Sequence, residues 1–133
     1  MEIKIEKPFH LNFDVVEIDE HVPSMKVRVS ICVQQFGHSL EYRGNLWFDC
    51  ACWDKFISDL KSIDVVEAKL TDMSCYFALT FCTNSGSGKP EVSWEVRKVS
   101  VTGAAVTATF RSALDADTLR YVKFQFEEFA RWW

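Results

Sequence analysis

Met25-Lys26-Val27-Arg28-Val29-Ser30-Ile31-Cys32-Val33-Gln34 alternates side chains with a strict period of two. In an extended chain that period sends successive residues to opposite faces, so Met25, Val27, Val29, Ile31 and Val33 enter a core. Lys26, Arg28, Ser30, Cys32 and Gln34 face water or a second element. The stretch Gln35-Phe36-Gly37-His38-Ser39 then interrupts the pattern, and Leu40, Tyr42, Leu46 and Phe48 resume it. Two such limbs around a short turn predict a β-hairpin. Upstream, Phe9, Leu11, Phe13 and Val15 share one phase while Val16 and Ile18 take the other. One inserted residue flips every later side chain, so the switch predicts a β-bulge.

Downstream the period becomes helical. Trp53, Phe56, Ile57 and Leu60 stand at i, i+3, i+4 and i+7, with Asp49 as the N-cap. Strand patterns return at Val66, Ala68 and Leu70, and again at Cys75, Phe77, Leu79 and Phe81. Thr83 to Pro90 reads as a flexible loop. Val92, Trp94 and Val96 alternate, and a phase slip at Arg97-Lys98 before Val99 and Val101 predicts a second bulge. Thr102-Gly103-Ala104 turns the chain into Val106, Ala108 and Phe110. Asp115 then caps a final helix with Leu119, Val122, Phe126, Phe129, Ala130 and Trp133 on one face.

Strands joined by short turns pair antiparallel, because a parallel crossover needs a dozen or more residues. The expectation is a single α+β domain over 1–133, with seven to eight hairpin-connected antiparallel strands and two amphipathic helices packed against them. Both helices follow a strand and open on an Asp, which hints at an internal duplication.

Composition narrows the function. The 133 residues are 48% hydrophobic and 14% aromatic, enough large apolar area for a globular core. Fifteen Lys and Arg against 19 Asp and Glu, a net charge of -4, disfavour nucleic acid as a partner. The N-terminal Met1 to Pro8 mixes charge with apolar residues, unlike a signal peptide, and no apolar run approaches the ~20 residues that cross a bilayer. Five cysteines at irregular spacing suit a reducing cytosol.

The familiar catalytic patterns are missing. Cys50-Ala51-Cys52 lacks a second ligand pair for zinc and has the wrong spacing for a thioredoxin-type pair. No metal or cofactor is expected. His10, Asn12 and Asp14 share a strand face where a general base is conceivable, yet the wet side of an antiparallel sheet is polar by necessity. Ser85-Gly86-Ser87-Gly88-Lys89 lacks the Walker spacing. Asp115 and Asp117 suit a helix N-terminus, and Arg120, Lys123 and Arg131 with Glu127 and Glu128 suit a solvated face.

Two features point instead to a protein partner. Asp14, Glu17, Asp19 and Glu20 form an acidic run, and all of the net charge lies in residues 1–66. Trp47 shares its strand face with Glu41, Arg43 and Asn45, where an aromatic can anchor a partner.

The layout of Leu46-Trp47-Phe48, the Trp53, Phe56, Leu60 helix, the apolar hairpin turning at Gly103 and the Asp-led helix with Leu119 and Phe126 is similar to small bacterial immunity proteins of the WapI type. That resemblance implies a cytosolic, non-catalytic protein that neutralises a cognate polymorphic toxin. Two other readings stand beside it. One is a small-molecule binder or minor enzyme with a pocket lined by Trp94, Tyr76 and Tyr42 between sheet and helices. The other is a homodimer joined through an edge strand or the Trp47 face.

Overall fold

The computed structural model describes residues 2–133. Strands β1 (Glu2–Ile5), β2 (His10–Asp19), β3 (Ser24–Gln35) and β4 (His38–Asp49) form an antiparallel meander in sequence order. Helix α1 (Cys50–Lys61) follows. Strands β5 (Ala68–Thr71), β6 (Phe77–Thr83), β7 (Pro90–Val99) and β8 (Ala105–Ala113) form a second meander, followed by helix α2 (Ala116–Glu127). The α+β architecture with antiparallel strands and two helices is as the periodicity predicts, and its eight strands divide into two sheets of four.

Local chemistry explains the elements. Register in β2 jumps between the pairs Val15–Val27 and Glu17–Lys26, so Val16 is the extra residue of the expected bulge. Phe36 and Gly37 close the β3–β4 hairpin between the paired Gln35 and His38. Both have positive φ, 55° and 75°, as a two-residue type I′ turn demands. Asp49 caps α1 by accepting from the Ala51 and Cys52 N–H groups at 2.7 and 3.4 Å. Asp115 caps α2 by accepting from the Thr118 N–H at 2.6 Å, and hydrogen bonding to Thr118 holds its carboxyl below the usual carboxylate range.

Three expectations are corrected. The register of β7 with β8 is unbroken from Glu91–Ala113 to Val99–Ala105, so there is no second bulge. Beyond Val96 this hairpin runs past the core and leaves Val99, Val101 and Val106 exposed; a strand with two wet faces has no phase to report. Cys75 belongs to a turn, with φ of 59°, rather than to a strand. Helix α2 ends at Glu127, so buried Phe129 packs from beyond it and Ala130 is exposed.

One core joins both sheets and both helices. Phe13 on β2 meets Phe48 on β4, Trp53 on α1, Phe77 on β6 and Phe126 on α2, all at centroid distances of 5.9–6.1 Å. Each helix packs beside the first strand of the other sheet. The Cys52 thiol donates to the Thr71 carbonyl on β5 at 3.6 Å, and Gln125 Oε1 on α2 accepts the Lys4 N–H of β1 at 3.3 Å.

Candidate functional site

The β2–β3 hairpin and the end of β4 build a surface concavity lined by Glu17, Ile18, Asp19, Glu20, His21 and Trp47. Cross-strand pairing dictates this grouping: Glu17 faces Lys26 across β2–β3, and Lys26 faces Trp47 across β3–β4. Residues directly opposite in an antiparallel ladder share a face. Trp47 is half-buried. Val16, Ile18 and Val22 are exposed around the hairpin, at 41, 43 and 53%. The concavity itself is acidic, with Trp47 and Ile18 as its apolar residues.

The four acids of the run play different parts. Asp14 does not line the concavity; it stands one row away and pairs with Arg28 at 3.6 Å. The bulge at Val16 separates it from the rest, a displacement that the linear run conceals. Glu17 pairs with Lys26 at 3.4 Å, and both are accessible, so the pair contributes little to stability and opens readily to a competing cation. Asp19 Oδ1 accepts the His21 and Val22 N–H groups at 2.9 and 3.3 Å and so shapes the turn. Glu20 is exposed and makes no ion pair among the described residues.

A second concavity of about 180 Å³ lies on the outer face of the first sheet. There His10, Cys32 and Glu41 stand opposite one another on β2, β3 and β4, with Lys4, Asn12, Ser30 and Arg43 beside them. Only the register reveals this row, since its members are far apart in sequence. No hydrogen bond links the three side chains among the described residues, so the thiol has no attached base and the row is a polar sheet face.

The remaining motifs resolve into structure. Cys50 is buried, and burial together with the carboxylates of Asp49 and Asp54 pushes its thiol up to about 11, the opposite of an activated nucleophile. Among the described residues no three His, Cys, Asp or Glu side chains gather to hold a metal ion. Asn84 Oδ1 accepts the Gly86 and Ser87 N–H groups, which makes the Ser-Gly-rich loop a hairpin connection. Arg131 lies beyond α2 rather than on its face and pairs with Asp54, whose other oxygen accepts the Trp133 indole N–H at 2.9 Å.

The pocket expected from Trp94, Tyr76 and Tyr42 does not form as one site. Trp94 is buried, stacked on Phe110 at 5.7 Å and edge-on to Phe9. Tyr42 and Tyr76 instead share an open groove with Arg97 and Lys98, and the Lys98 ammonium sits 5.6 Å from the Tyr42 ring centre. Burial, aided by the nearby Asp72 carboxylate, raises the Tyr42 phenol above its ordinary value.

No family model, curated protein or solved structure matches this chain. No helix among the described residues is long and apolar enough to cross a membrane.

Proposed function

We propose that this chain is a non-catalytic protein-binding domain, an immunity protein that neutralises a cognate toxin in the cytosol by docking it on the concavity of Glu17, Asp19, Glu20 and Trp47. The observation that carries the reading is the grouping of those four side chains with Ile18 in one concavity. Trp47 and Ile18 supply desolvated contact area, and the acids steer a basic partner and compete with nucleic acid for its cleft. The layout-level similarity to WapI-type immunity proteins agrees with this. Trp47 acts as the anchor, while Glu17 can exchange Lys26 for a partner's cation.

The test takes as its probe a basic toxin domain encoded by a gene neighbouring that of this chain, once the gene neighbourhood has been sequenced. Glu17→Lys with Glu20→Lys slows association and flattens its dependence on ionic strength, whereas Trp47→Ala speeds dissociation. Binding and protection from toxicity that survive all three substitutions would remove this surface from the function. A neighbouring gene set that encodes only metabolic enzymes would count against the toxin itself.

A further inference from the structure

Three of the four outer strand edges are engaged by another part of the chain. Gln125 takes the Lys4 N–H on β1, the Met73 N–H donates to the Trp47 carbonyl on β4 at 2.8 Å, and Cys52 reaches the Thr71 carbonyl on β5. No backbone bond from outside the β7 pairing reaches residues 105–113 of β8 among the described residues. Its sequence, Ala-Val-Thr-Ala-Thr-Phe-Arg-Ser-Ala, carries no proline, lysine or bulge to deter pairing. We infer that β8 is a dimerisation edge, pairing antiparallel with β8 of a second copy about a twofold axis through Phe110.

The neighbouring charges select both the occupant and the register. Glu95 stands opposite Thr109, and Ser93 opposite Arg111. Neither Glu95 nor Arg111 has an ion-pair partner among the described residues. A twofold at Phe110 sets Thr109 opposite Arg111 of the second copy. Each Glu95 then lies two strands from that copy's Arg111, about 10 Å between Cβ atoms, across a small Thr that two long side chains can bridge. Shifting the twofold to Thr109 would instead set Arg111 opposite Thr107, which is flanked by Arg97. Like charges disfavour that register. On the inner face the chosen register brings Phe110, half-exposed beside Trp94, against its own copy and extends the aromatic stack across the interface. The product is a continuous eight-stranded sheet whose interface lies on the opposite sheet from the acidic concavity.

The experiment is sedimentation or light scattering over a wide concentration range, with no partner protein present. The wild-type chain shows a reversible rise to twice the monomer mass. Arg111→Glu weakens the dimer about tenfold or more by placing like charges across the interface, and Glu95→Arg combined with Arg111→Glu restores it. Both variants keep the wild-type circular dichroism spectrum, because the changed side chains lie on an outer sheet face. Monomer mass throughout, or a dimer that neither the single reversal nor the swap alters, overturns the proposal. Either result leaves the toxin-binding reading untouched.

Discussion

Asp72 is a buried acid that alternation could not flag, because its role lies in a turn rather than on a face. It accepts the Tyr76 and Phe77 N–H groups at 2.7 and 2.8 Å and the Ser74 N–H at 3.3 Å, holding the chain through Cys75's positive φ. Asp72→Ala should cost about 2–3 kcal/mol in denaturant unfolding, since backbone donors lose a charged acceptor inside the protein. Phe36 presents the reverse case, a bulky residue 94% exposed in the left-handed region of a type I′ turn. Phe36→Asn should stabilise the protein by about 1 kcal/mol in the same assay. Cys50 yields a pH prediction. Its native pKa of about 11 lies above the ordinary 9.0, so the folded state holds the proton more tightly. The stability this gives is complete below pH 9, falls as pH rises toward about 11, and is absent from Cys50→Ala. Wild-type stability should therefore fall more steeply with pH than that of Cys50→Ala between pH 9 and about 11, and the two slopes should match on either side of that window.

At the scale of elements, what the residues reveal depends on whether a face has a core beneath it. The β2 bulge, the Phe36–Gly37 hairpin and both Asp caps were readable because each has a local signature in spacing or residue type. The supposed second bulge was not real, because Val99 and Val101 lie where both faces of the hairpin are wet. Alternation also reports which face is buried and never which strand is the neighbour. That is why the division into two sheets, the Glu17–Lys26–Trp47 row and the isolation of Asp14 emerge only from register. Cap chemistry is directly testable: Asp49→Ala should destabilise by about 1 kcal/mol, measured by thermal unfolding, because two first-turn N–H groups lose their acceptor.

Across the whole molecule, Phe13 ties both sheets to both helices, so the chain should unfold as one unit. Phe13→Ala is expected to remove about 3–5 kcal/mol while leaving a single transition by circular dichroism and by tryptophan fluorescence. Two separated transitions would show instead that each sheet keeps a core of its own. The crossed placement of the helices has a further consequence for biosynthesis. The ribosome completes the first sheet long before it makes Gln125, which closes the Lys4 edge. A nascent chain stalled after α1 therefore displays an open β1 strand and lacks Phe126 beside Phe13. Translation order leaves this protein exposed to misassociation until its tenth element is synthesised, so its yield should depend on chaperones during elongation more than its final stability would suggest.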